Sequence, residues 1–133
     1  MEQTFPFRFD PVFRPMLLGL GVHPKSASVT LTADDRFVAR FGVRKVDTPL
    51  VNIDCVQTSG PYRWYRAIGL RGSRVDNGIT FGTSVVGGVC VTFIEPIPPL
   101  IPGMKGHPGL TVTVADIDGL AAAIEAHTGS VAE

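Results

Sequence analysis

Leu110-Thr-Val-Thr-Val-Ala-Asp-Ile-Asp-Gly-Leu-Ala-Ala-Ala-Ile-Glu-Ala-His127 reads as a strand running directly into an amphipathic helix. Leu110, Val112 and Val114 alternate with Thr111 and Thr113, the period of a half-buried strand. Asp116 stands where an N-cap belongs, and Asp118 adds a second carboxylate at the positive end of the helix. Ile117, Leu120, Ala121 and Ile124 then recur at i, i+3, i+4 and i+7, a narrow apolar stripe. Gly129 offers a stop just past His127. One good helix at the end of a series of strands has to cover something, and the open end or face of a barrel is the expected surface.

Working back from that stretch, strands dominate. Val89, Val91 and Phe93 alternate with Cys90, Thr92 and Ile94, which puts the first set inward. Gly87-Gly88 reads as a tight turn into this strand. Arg71–Asp76 and Ile79–Ser84 flank Asn77-Gly78, the strongest short hairpin signal, because both turn positions tolerate positive φ. Leu50–Thr58 is a further strand, with Val51, Ile53 and Cys55 on its expected core face. Ser28–Thr32 and Arg36–Phe41 form a hairpin across Ala33-Asp34-Asp35, and Arg44–Asp47 adds a short strand. At the front, Phe5, Phe7 and Phe9 line one face of an opening strand. Asp10 and Pro11 then start a turn, Pro15 interrupts it, and a short helix runs from about Arg14 to Leu20.

The chain has 133 residues, enough for one domain with its own core. A hydrophobic content of 44% against 18% charged residues excludes a disordered chain. Eleven prolines and fifteen glycines favour short strands with frequent turns. The apolar runs near the N-terminus are too short for a signal-peptide core, and no window approaches a membrane span. A cytoplasmic protein with Cys55 and Cys90 as free thiols is expected.

The order of elements in Val29–Gly42, Thr48–Val56, Gly88–Phe93 and Val112–Ile124 resembles the bacterial pleckstrin-homology-like domains. The resemblance covers most of residues 27–127 and rests on pattern, without a catalytic signature. It implies a small seven-stranded barrel closed by the C-terminal helix. Residues 1–26 would then add a strand and a short helix packed on the same single domain. The N-terminal segment, residues 62–69 and the 96–108 loop depart from the minimal pattern.

Chemistry is sparse. His23, His107 and His127 have no helical zinc spacing, and two cysteines 35 residues apart make a poor metal site. No metal and no cofactor is expected. Gly82–Gly88 lacks the Gly-Lys-Ser/Thr ending of a phosphate-binding loop. The net charge is zero but uneven: −1 over residues 1–35, +6 over 36–74 and −5 over 75–133. Within the basic third, Arg63, Trp64, Arg66, Arg71 and Arg74 combine arginines with the only tryptophan, a set suited to phosphates, carboxylates or stacked rings. The competing reading is a packed loop whose arginines pair with Asp47, Asp54 or Asp76. A neutral chain with no further aromatic platforms argues against nucleic acid. Ile97, Leu100, Ile101 and Met104 make the proline-rich loop unusually apolar, either as a partner contact or as a lid.

These features point to a non-enzymatic binding or protein-interaction domain, recognising an unknown protein partner, an anionic small molecule or a lipid headgroup. The alternative is a small-molecule or flavin-type binder or enzyme with a split barrel, for which no cofactor motif speaks. A third reading is a structural subunit that self-associates through the 97–104 loop.

Overall fold

A computed structural model describes residues 2–19, 21–23, 25–42, 44–60, 68–72, 78–100 and 106–128. Two sheets enclose one core. In the first, β1 (Gln3–Pro6), β2 (Ala27–Leu31), β3 (Arg36–Phe41) and β4 (Arg44–Pro49) form an antiparallel meander in sequence order. The second holds β5 (Ile53–Ser59), β6 (Gly69–Gly72), β7 (Ile79–Gly82), β8 (Gly88–Ile97) and β9 (His107–Val112), in the order β5-β8-β9-β7-β6. Helix α1 spans Arg14–Gly19 and helix α2 spans Ile117–Thr128.

The alternation expected from the sequence holds through both hairpin strands. Ala27, Val29 and Leu31 face Phe37, Ala39 and Phe41 across the β2–β3 ladder, and all six are buried. From the second sheet come Val56, Ile79, Phe81, Val89, Val91, Phe93, Leu110 and Val112. Rings join the sheets: Phe41 stacks on Phe81 with centroids 4.9 Å apart and planes within 11°, and Phe7 reaches Phe41 at 5.8 Å. Such contacts add about 0.5–1.5 kcal/mol each beyond the area buried.

Three expectations need correction. First, the described residues form two sheets, of four and five strands, and no closed barrel. The sheets join on one side through the chain after β1: Phe7 bridges Val114, the Arg8 N–H donates to Thr113 O, and the Ala115 N–H donates to Pro6 O. On the other side β4 and β8 do not pair. Pro49, Pro96 and Pro98 lack the N–H a ladder needs there. The Asn52 amide substitutes for part of one, donating to Glu95 O at 3.0 Å and accepting from the Glu95 N–H at 2.9 Å.

Second, the expected tight turn at Gly87-Gly88 does not set β7 beside β8, because β9 lies between them, parallel to β7. The connection leaving β7 is bound to the N-terminal segment instead. The Asp10 carboxylate accepts from the Ser84 hydroxyl and from the Val85 N–H, each at 2.9 Å. Asp10 therefore does not cap the turn at Pro11–Phe13, which has no side-chain cap. Nearby, Gly60 (φ 124°) lies so close to Gly87 that a side chain would meet Val86 O at 2.7 Å.

Third, the core face of Leu50–Thr58 is not Val51, Ile53 and Cys55. Leu50–Asn52 is a 3-10 turn that buries Leu50 and leaves Val51 80% exposed. The register with β8 then shifts between Ile53 and Cys55, so burial passes from Ile53 to Val56. A bulge inserts one residue and reverses the faces beyond it.

The closing strand and helix behave as read. Leu110, Val112 and Val114 are fully buried, as are Leu120 and Ile124. Helix α2 packs across β5 and the Leu50–Asn52 turn. Asp116 caps it, its Oδ1 accepting the Gly119 N–H at 3.0 Å. No helix among the described residues is long and apolar enough to cross a membrane.

Leu120→Ala is expected to cost about 2–5 kcal/mol through the cavity it leaves, and Leu120→Asp more. Thermal melting at the wild-type temperature for either variant would show that α2 is not part of the core. A second expectation concerns the cap, because a Cβ at Gly119 would collide with the Asp116 carboxylate. The usual gain of about 1 kcal/mol for replacing helical Gly by Ala is then offset by a lost cap of about 1 kcal/mol. Denaturant titration should find Gly119→Ala no more stable than wild type, but stabilising by about 1 kcal/mol when added to Asp116→Ala.

Candidate functional site

The exposed face of the β1–β4 sheet carries the clearest polar constellation. Register places Pro6, Ser28, Arg40 and Lys45 on one rung across all four strands. On the neighbouring rung stand Thr4, Thr30, Val38 and Asp47. Both sets follow from the period of two that sends Val29, Ala39 and Val46 inward.

Charges on this face are matched unevenly. Arg36 Nε donates to Asp47 Oδ1 at 2.7 Å, so one basic residue is neutralised by a cross-strand acid. Arg44, at the end of β4 and on the register of Val46 and Thr48, is not part of this face and uses Nη1 to bind Leu100 O at 2.8 Å. Arg40 and Lys45, directly opposite one another and both exposed, have no ion pair among the described residues. Like charges directly opposite on a sheet are destabilising. In bulk water the cost is about 1 kcal/mol or less at such separations, small enough for the fold to bear. Lys45 also stands on an edge strand, where a charge opposes pairing with foreign strands. The half-buried Ser28 hydroxyl stands next to Arg40 on the same rung, so the rung presents three donors of the kind that suit an oxyanion.

Four of the five expected anion-binding residues, Arg63, Trp64, Arg66 and Arg74, lie outside the described residues. Arg71 is in β6, at the register position opposite Thr80. On the proline-rich loop, Ile97 is buried at the end of β8 and Leu100 is half-buried against the core. Ile101 and Met104 lie outside the described residues. The described part of the loop is tied down twice. The Leu100 N–H donates to Nε2 of the fully buried His107 at 3.0 Å, and Leu100 O accepts from Arg44. His107, an unremarkable residue before a proline in the sequence, thus anchors the loop.

Two grooves flank these features. One, of about 440 Å³, opens at the seam between β4 and β8 beside Pro49, Val51, Ile94 and Pro96. Val51 and Ile94 are 80% and 63% exposed there. The other, of about 380 Å³, lies on the outer face of the β5–β9 sheet beside Thr80, Cys90, Thr92, Gly109 and Thr111. The cluster of half-buried Asp10 with buried Thr83, Ser84 and Thr113 is internally hydrogen-bonded, the Asp10 carboxylate being shared between the Ser84 hydroxyl and the Val85 N–H. Among the described residues no three His, Cys, Asp or Glu side chains gather around a metal-sized space.

The missed signal was the Ser28–Arg40–Lys45 rung. Its members come from three strands, and only the hairpin registers bring them together. No family model, curated protein or solved structure gives a match to this chain.

Proposed function

We propose that the chain is a non-enzymatic, cytoplasmic binding domain of pleckstrin-homology-like type that docks an anionic group on the exposed face of its first sheet. The observation that carries this reading is the Arg40–Lys45 rung, two adjacent cations without an acid among the described residues. Ser28 supplies a hydroxyl next to Arg40; Arg71, in the second sheet, and Arg63, Trp64, Arg66 and Arg74, outside the described residues, are candidates for an anion apart from this rung. The pleckstrin-homology-like reading is supported by an antiparallel meander, a second sheet about the same core and a C-terminal helix lying across β5. Partner docking at the seam groove is compatible with this reading, since the groove combines exposed Val51 and Ile94 with the acids Asp47 and Glu95 and adjoins the basic face.

An anionic surface or ligand would meet Arg40 and Lys45 first, each contributing about 1 kcal/mol near an acidic lipid surface. Neutralising both as Arg40→Gln/Lys45→Gln should therefore weaken binding to phosphatidylserine vesicles by about 30-fold, with stability unchanged. Vesicle co-sedimentation reads the lipid arm, and calorimetry with inorganic phosphate and inositol phosphates reads the soluble arm. Equal binding of the variant, equal binding to neutral phosphatidylcholine, or no binding in either arm would each defeat the proposal.

A further inference from the structure

The bulge in β5 has a chemical consequence on the outer face of the second sheet. Strict alternation would send Cys55 inward and Cys90 outward, on opposite faces. After the register shift, Cys55 stands opposite Thr92 and Gln57 stands opposite Cys90. Thr92 and Cys90 are both on the outer face of β8, so both thiols share that face, one rung apart on neighbouring antiparallel strands. Both are half-buried and neither is in a disulfide. They are also the only two cysteines in the chain.

Cys90 borders an open groove, and Cys55 stands opposite Thr92, which also borders it. Cys90 lines the groove of about 380 Å³ whose other walls include Thr92, Thr111 and Gly109. Gly109 faces Thr92 across the β8–β9 ladder, so no side chain fills the face at that point. Cys90 itself is followed across β9 and β7 by Thr111 and Thr80, two short hydroxyl side chains.

Distance decides what two such thiols can do. Diagonal neighbours in an antiparallel pair have Cα atoms about 7–8 Å apart. A disulfide needs Cα atoms within about 4.4–6.8 Å, so a direct S–S bond would require the backbone to move. A metal ion bridging the two sulfurs adds two bonds of about 2.3 Å each, which fits the wider spacing. Among the described residues no third His, Cys, Asp or Glu gathers there, so these residues offer two ligands rather than the four of a structural zinc or iron–sulfur site. Two thiolates alone select a soft cation that accepts two-coordination.

We propose that Cys55 and Cys90 form a two-thiolate site for a soft monovalent cation of the Cu(I) class. On binding, each thiol releases one proton to solvent and each sulfur donates one electron pair to the ion. No electron is transferred, and the bridged site carries one net negative charge. The site lies on the other sheet from the Arg40–Lys45 rung, so it stands or falls independently of the anion-binding reading.

The test is an anaerobic titration of the full, reduced chain with Cu(I) against a chromophoric Cu(I) chelator. One ion should bind per chain, with an ultraviolet thiolate-to-copper band and two copper–sulfur contacts by X-ray absorption. Cys55→Ser and Cys90→Ser should each lose at least 100-fold in competition with the chelator. Circular dichroism melting of both variants confirms that the fold is kept, as expected for half-buried positions on an outer face. Variants that compete as well as wild type would overturn the site. So would half an ion per chain with a doubled mass by light scattering, because the thiols would then be bridging two molecules.

Discussion

Two open sheets, neither able to bury its own apolar face, have to share one core, and the Phe41–Phe81 stack is where that sharing is closest. Every inward residue of the meander, from Val29 to Val46, is dry because the second sheet lies against it. The reverse holds for Phe81, Val91 and Leu110. Hydrophobic burial is non-directional, so it drives the sheets together without fixing how they meet. The polar joints do that. Backbone pairing of Phe7 to Val114 and the Asp10 carboxylate on Ser84 and Val85 hold one side. Asn52 on Glu95 and Arg44 on Leu100 hold the other.

The same arrangement explains where chemistry is available. Inner faces are consumed by packing, and the internal hydroxyls of Thr83, Ser84 and Thr113 are consumed by hydrogen bonds. A buried polar group must be satisfied to be tolerated, so these side chains are scaffold. What is left for ligands is the outside of each sheet: a basic rung on the first and a hydroxyl- and thiol-lined face on the second. The two faces differ in chemistry because register decides which residues of four or five strands stand side by side. In the turn joining β2 to β3, the Thr32 hydroxyl donates to the Asp34 carboxylate and holds it below the ordinary carboxylate range, a local effect far from either face.

Much of this was legible residue by residue. The alternation of Val89, Val91 and Phe93, the Phe37–Phe41 face, the Asp116 cap and the Leu120–Ile124 stripe are local signals, and each survives into the structure. The charge excess in the middle of the chain was visible too, but not its distribution. Arg36 finds Asp47 only because β3 and β4 pair in one register, and the same register leaves Arg40 against Lys45. Loop chemistry is less legible. His107 gave no signal in the sequence, because its role depends on the Leu100 amide being folded back onto it.

The sequence by itself determined the mainly β character, the positions of most strands and the closing helix, because period and capping act over a few neighbouring residues. Only the tertiary structure decided that the strands divide into two sheets, that β9 separates β7 from β8, and that Cys55 joins Cys90 on one face. Each of these turns on pairing between residues distant in the chain. A single inserted residue before Cys55 reverses a face without changing composition or apparent period beyond it.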